Sequence, residues 1–352
     1  MALPLLAAAL VIAYFAGLVP KGQPLVFVLE AAILLGAVFS AVHHAEVVGN
    51  RVGEPFGSII LAVSVTVIEV GLIVALMLAA DDGGPTIARD TVYSAVMLVL
   101  TGLMGLCLVV GGHKHHEQTI KVTGTSSYLA VLGTLTVTAL ILPNFTTSTA
   151  GPTYSPVQLT AVALVSIMLY GAFMFVQTVR HRDYFLAAVD DTDLEHYELP
   201  TSRQAGISLA FLLVSLAGVV LVAKMMAPAL DELIDLAGLP PSFTGVVIAA
   251  LVLAPESIAA VRASLANRPQ TAINLALGSA LASIALTIPI ITILGAFDNV
   301  QLALGVPPAK IVLLALALFV SAITLLPGRT TVLQGFVHLG LFIMFVVVAA
   351  VP

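Results

Sequence analysis

The chain has 352 residues, 60% of them hydrophobic and only 9% charged, with a formal net charge of -6. That composition, with a mean hydropathy of +1.12, excludes a soluble globular protein and indicates a polytopic membrane protein. The acidic balance leaves no basic patch for nucleic acid, and the single cysteine, Cys107, excludes an intramolecular disulfide framework.

Breaking the chain wherever Pro, Gly or charge interrupts about twenty apolar residues predicts eleven spans. They fall near 3–20, 24–48, 55–80, 91–112, 125–143, 156–178, 205–227, 242–264, 271–295, 308–326 and 331–351. The first, running on from Met1 to Gly17, lacks the basic start of a cleaved signal peptide and is expected to stay as a helix. The runs are continuously apolar rather than alternating, which favours helices over barrel strands. The expected fold is therefore all-α.

Lys and Arg orient the spans. The even-numbered loops hold Arg51, Lys114, Lys121, Arg180, Arg182, Arg203, Arg262, Arg268 and Arg329, whereas the odd-numbered loops hold only Lys21, Arg89, Lys224 and Lys310. The rule that positive loops stay inside puts the N-terminus in the cytoplasm and the C-terminus outside the cytoplasmic membrane. Spans 2–6 then begin outside and spans 7–11 begin inside, the pattern of two inverted five-helix repeats. The expected organisation is an extra helix over 1–23, a first repeat over 24–178, a cytoplasmic linker over 179–204 and a second repeat over 205–352.

In chain order, Glu30 sits about two turns into the second span and is a candidate for the lining of an entry path. His43, His44 and Glu46 lie at the inner end of that span, and His113, His115, His116 and Glu117 follow the fourth. These histidines read as interfacial anchors, as pH sensors or, without any zinc-type spacing, as transition-metal ligands. The linker carries Asp183, Asp190, Asp191, Asp193, Glu195 and Glu198, with a short helix expected over 185–188. It reads either as a solvated connector or as a divalent-cation sensor built on clustered carboxylates. Asp81, Asp82, Asp90, Asp231, Glu232, Asp235 and Asp298 are expected on the outer surface, solvated or concentrating cations. His338, in the last span, is expected to be a packing or hydrogen-bonded residue.

Two residues stand apart. Glu69 and Glu256 each lie about halfway along an apolar span, where a carboxylate costs about 3 kcal/mol on insertion scales and marks a functional site. From Pro55 to Glu69 is 14 steps and from Pro241 to Glu256 is 15, or roughly 21 to 23 Å of helix, so both acids are expected near the bilayer midplane. Their helices run in opposite directions and can present the two acids to each other across the repeat interface. Thr66 lies one turn before Glu69 on the same face. Pro255 removes an amide beside Glu256 and disfavours helix at Ala254, freeing carbonyls for a cation. Ser279, Ser283 and Thr287 follow at i, i+4, i+8, which serves either ion coordination or close packing by small residues. The pattern points to a cation transporter.

The stretches from Gly53 to Glu69 and from Leu253 to Arg262, with the later run from Asn274 to Pro289, resemble the two alpha repeats of the calcium/cation antiporter superfamily. Within it the chain is most similar to the bacterial ChaA-type calcium/proton antiporters, which His115-His116-Glu117-Gln118 and the segment from Gln177 to Arg182 also resemble. The resemblance implies that Glu69 and Glu256 are the central cation- and proton-binding acids of an eleven-helix fold with five-plus-five inverted symmetry. It also places the acidic 183–198 segment where related exchangers carry an acidic stretch. One departure is plain: the Gly-Asn pattern that precedes each repeat glutamate in the family is replaced here by Thr66-Val-Ile and Leu253-Ala-Pro.

The expected activity is exchange of calcium for protons at the glutamate pair, with Thr66, Ser279, Ser283, freed carbonyls and water completing a calcium shell. Sodium or potassium in place of calcium is the alternative. A channel would need a repeated filter sequence, and an intramembrane metalloenzyme would need a motif such as His-Glu-x-x-His; neither pattern is present. The reading implies a transporter rather than an enzyme, no cofactor, the transported cations and protons as ligands, lipid as the surrounding phase, and compatibility with a homo-oligomer. Asp190, Asp191, Asp193, Glu195, His43, His44, His115 and His116 are the regulatory candidates.

Overall fold

The computed structural model describes residues 2–18, 24–53, 56–77, 84–185, 199–298 and 301–352. Glu54, Pro55, Asp81, Asp82 and the linker acids Asp190, Asp191, Asp193, Glu195 and Glu198 lie outside the described residues, as does most of the short helix expected over 185–188.

The described chain is almost wholly helical. In order come α1 (Ala2–Phe15), α2 (Pro24–Val52), α3 (Phe56–Met77), α4 (Gly84–Met97) and α5 (Met104–His115), the last two joined by a π-helical turn over Leu98–Leu103. A short strand, β1 (Glu117–Thr119), leads to α6 (Val122–Thr136), continued by a second π-helical turn over Val137–Ile141, and to α7 (Pro156–Phe175), continued by a third over Val176–Arg180. Then follow α8 (Ser202–Leu236), α9 (Phe243–Val252), α10 (Ala254–Leu265), α11 (Pro269–Asp298), α12 (Pro308–Leu325), β2 (Arg329–Thr331) and α13 (Val332–Ala350). Among the described residues eight helices are long and apolar enough to cross a membrane, or nine if the pair α9 and α10 counts as one bent span. The first and third expected spans correspond to the shorter apolar helices Leu3–Phe15 and Val63–Met77.

Local chemistry sets the ends. Ser155, Thr201 and Thr331 each form a reciprocal capping box with Gln158, Gln204 and Gln334, starting α7, α8 and α13. At the end of α8, Gly238 takes a φ of +67°, and Leu239 N donates back to Ile234 O, closing the helix in a left-handed cap.

The chain folds as two compact units, one of Met1–Ile87 with Leu194–Thr244 and one of Ala88–Asp193 with Gly245–Pro352. In the first, α2 packs along α8 and against α1 and α3. Leu34, Ala37, Ala41, Ala45 and Val48 recur every three or four residues and form its buried stripe, and Glu30, 5% exposed, opens that stripe. Where α2 meets α3, a Cβ on Gly57 would lie 2.5 Å from Gly49 O, so only glycine allows the two backbones to come this close.

The second unit is built around α11, which packs against α6, α7 and α10. Helices α5 and α13 cross at similarly short range: a Cβ on Gly105 would sit 2.9 Å from Leu339 N, and one on Gly335 2.6 Å from Val109 N. Strands β1 and β2 form an antiparallel ribbon pairing Gln118 with Thr330. Large apolar side chains such as Leu164, Met168, Val312 and Phe319 stay exposed on the helices, as lipid contact requires.

Candidate cation site

Glu69 belongs to the first unit. Its side chain is 4% exposed in the middle of α3, enclosed by a stretch in which Ile68, Val70, Leu72 and Ile73 are also buried. Thr66, one turn earlier, is 3% exposed, and Ser64 donates its hydroxyl to Ile60 O at 2.7 Å. The serine is therefore occupied by its own helix, while Thr66 stands on the glutamate's face.

Glu256 belongs to the second unit and sits at a helix break. The chain bends by 57° between α9 and α10, with Pro255 at the start of α10 and Glu256 in its first turn. Proline fits an N-terminal turn because its missing N–H would lack a partner there in any case. The exposed amides and dipole of that helix end favour a negative charge, so the break that the sequence predicts also provides for the acid beside it. Glu256 is half-buried, and its Oε2 is shut off from solvent. Helix α10 packs against α11, whose polar face carries Ser279, half-buried, and Ser283 and Thr287, both buried. Thr66, Glu69, Glu256 and Ser283 are each engaged by an interacting group.

A polar network anchors the far end of α10. Lys114 Nζ and His115 Nε2 both donate to Leu265 O at 3.0 Å, and Gln118 Nε2 donates to Ser264 O and Asn267 Oδ1. Ser264 donates to Cys107 O at 2.6 Å. Gln270 accepts from Lys121 N and donates to Asn274 Oδ1, and Asn274 donates to Phe185 O. The stretch from Lys114 to Lys121, which contains β1, thus ties the end of α10 and the start of α11 to the ribbon. His115 acts here as a helix cap, and His116 occupies the left-handed turn after α5, with φ +64°. Among the described residues no group of three or more His, Cys, Asp and Glu side chains can hold a metal ion.

His43 and His44 lie in the first unit with ring centroids 5.3 Å apart. His44 is 4% exposed and stacks on Phe211 of α8 at 5.3 Å, and among the described residues neither of its ring nitrogens has a hydrogen-bond partner.

Asp90 corrects the expectation of a surface acid. Helix α4 starts at Gly84, seven residues before the expected span, so Asp90 falls in its second turn and is 3% exposed. Lys310 Nζ reaches Asp90 Oδ1 at 3.0 Å, and Arg89 reaches both carboxylate oxygens at 3.2 and 2.9 Å. Arg89 also donates to Gly305 O at 3.3 Å, and the Lys310 ammonium lies 5.5 Å over the Tyr93 ring. Sequence reasoning missed this cluster; the signal available was a pair of opposite charges, each close to the start of an apolar span.

The comparisons with known proteins agree with this architecture. The family model described as sodium/calcium exchanger protein matches residues 22–179 and 207–351. The chain is 46% identical over 354 residues to y4hA of Sinorhizobium fredii, named only as an ionic transporter, covering 99% of this chain and 95% of that one. It is 38% identical over 327 residues to the sodium-potassium/proton antiporter ChaA of Escherichia coli, covering 91% and 88%. The crystal structure of the selenium-substituted Ca2+/H+ antiporter protein YfkE superposes with a TM-score of 0.76 at 15% identity, covering all of both chains. With eight or nine helices among the described residues long and apolar enough to cross a membrane, that fold and a family match over both halves, the chain is a multi-pass membrane transporter that belongs to the sodium/calcium exchanger family.

Proposed function

We propose that the chain exchanges calcium for protons across the cytoplasmic membrane, with Glu69 and Glu256 as the acids on which cation and protons compete. The observation that carries this reading is the placing of these carboxylates. Each lies within an apolar span, Glu69 in mid-helix and Glu256 on the first turn after a break, and each has hydroxyl-bearing residues on its own or the adjoining helix.

The chemistry follows from burial. Calcium takes six to eight oxygens, of which two bidentate carboxylates supply four; Thr66, Ser279, Ser283, backbone carbonyls at the α9–α10 break and water supply the rest. Without a cation, acids in a low-dielectric setting bind protons more readily, and coupled acids titrate as a set rather than singly. Cation and protons then exclude one another. If the loaded and the protonated forms reorient and the empty dianionic form does not, exchange is obligatory, and two protons per calcium is the smallest neutral stoichiometry.

On this reading the N-terminus is cytoplasmic, the C-terminus is outside, residues 24–178 and 205–352 are inverted repeats, and 179–204 is a cytoplasmic linker. The element order of the described residues supports it: α1 stands alone, and each half then contributes five helical segments when α4–α5 and α9–α10 each count once.

A second reading, sodium or potassium exchanged for protons on the same acids, is favoured by the name of the E. coli relative. Reconstituted protein under an imposed pH gradient separates the two. Calcium uptake that survives excess sodium and potassium supports the first reading, and proton flux driven by sodium or potassium but not calcium supports the second. Glu69→Gln and Glu256→Gln should each abolish exchange while the protein still inserts; full exchange by either removes that acid from the mechanism.

A further inference from the structure

His338 of α13 is wholly buried, 0% exposed, and its ring bridges two other elements. Nδ1 lies 2.6 Å from the carbonyl oxygen of Leu100, and Nε2 lies 3.1 Å from Thr324 Oγ1 on α12. A carbonyl only accepts, so Nδ1 carries a hydrogen, and in the neutral ring Nε2 accepts from the Thr324 hydroxyl.

Leu100 is no ordinary helical residue. It sits inside the π-helical turn Leu98–Leu103 that joins α4 to α5, and Leu100 and Thr101 there are both 0% exposed. A single π turn within an α-helix is a widened, sparsely used geometry that recurs at functional sites. This one packs against α10, α11, α12 and α13, and so touches both the helix that carries Glu256 and the helix that carries Ser283. Rewinding it to α-helix would rotate one flank against the other by about 100° and shift it by about 1.5 Å. Gly105 would then leave the close approach to Leu339 that its missing Cβ allows.

We propose that His338 is a positioning residue of the cation site: its bond to the Leu100 carbonyl holds the π-helical turn in register against the helices that bear Glu256 and Ser283. This rests on the function proposed above. Its two ring nitrogens are taken by Leu100 and Thr324, so it acts through the backbone.

The two ring nitrogens can be tested apart. The asparagine amide can take the place of Nδ1, and the glutamine amide that of Nε2, so His338→Asn keeps the bond to Leu100 and His338→Gln loses it. The test uses the full chain in proteoliposomes, with whichever cation the wild type exchanges. The half-saturating concentration should rise about tenfold in His338→Ala and in His338→Gln, as loss of a partner from a buried carbonyl implies. It should stay within about threefold of wild type in His338→Asn and in Thr324→Val, where that bond remains. Hydrogen exchange of the amides at 98–105 should accelerate in the first two variants and not in the others. The inference is overturned if folded His338→Ala keeps the wild-type half-saturation, or if His338→Asn is as impaired as His338→Gln. Should His338→Ala not fold, the contrast between His338→Asn and His338→Gln decides alone. A wild type that moves no cation under a pH gradient, or an unimpaired Glu256→Gln, instead defeats the function proposed above.

Discussion

Removing the carboxylate of Asp90 should be among the most damaging single changes to the second unit. Asp90 accepts one bond from Lys310 and two from Arg89, at 2.9 to 3.2 Å, with Asp90 and Lys310 side chains only 4% and 7% exposed. Asp90→Ala leaves two cations facing each other without an anion, and stranding a buried charge costs about 3 to 5 kcal/mol. Lys310→Met costs less, about 1 to 3 kcal/mol, because Arg89 still holds the carboxylate through both oxygens. The double variant Asp90→Ala/Lys310→Met should be more stable than Asp90→Ala alone, since one stranded cation has gone with its partner; a coupling of about 1 to 3 kcal/mol is expected. Glu117–Arg329 provides the contrast. Its side chains are 49% and 72% exposed across 3.2 Å, so Glu117→Ala should cost below about 1 kcal/mol. Thermal unfolding in detergent, followed by loss of the monodisperse peak, ranks the four variants. The reasoning is refuted if Asp90→Ala melts no earlier than Glu117→Ala, or if the double variant is worse than Asp90→Ala.

Other perturbations test other parts of the fold. Gly335→Val forces a Cβ to within 2.6 Å of Val109 N, which only backbone movement can relieve; the cost should exceed about 2 kcal/mol, and a melting temperature equal to wild type would show that α5 and α13 do not cross as described. Tyr154, in the loop before α7, is pushed up to about 12 by burial, above the usual value of about 10. A raised value means that the contribution of the neutral phenol is intact below pH about 10 and is lost as pH climbs through about 12. Wild type should therefore lose melting temperature faster than Tyr154→Phe across that window, and parallel curves would contradict it.

Much of the architecture can be read from the sequence because hydropathy is one-dimensional information. Runs of apolar residues broken by Pro, Gly and charge locate helices whatever their neighbours. The break at Pro255 is equally local, since a missing amide and a restricted preceding residue act within one turn. The unusual placing of Glu69 and Glu256 needs no more than their position within an apolar run. What escapes is pairwise. Asp90 and Lys310 are 220 residues apart and His338 and Leu100 are 238 apart, and no periodicity connects such distant groups. The π-helical turns also leave no pattern, because one extra residue per turn differs too little from α-helical spacing to register in side-chain type. His115 shows the same limit from the other side: the sequence leaves a titratable cluster open to anchoring, sensing or metal binding, and only the fold shows its ring spending its N–H on a helix-end carbonyl.

The discontinuity of the second unit bears on how the protein is made. Its ribbon joins Gln118 to Thr330, and its first stretch, Ala88–Asp193, is complete before Gly245–Pro352 exists. During synthesis, helices α4 to α7 enter the bilayer without the glycine-matched surface of α13 and without the anchor of β2. Contacts this distant along the chain close slowly. Synthesis of β2 and α13, rather than insertion of the early helices, therefore marks the moment at which this unit can first assemble.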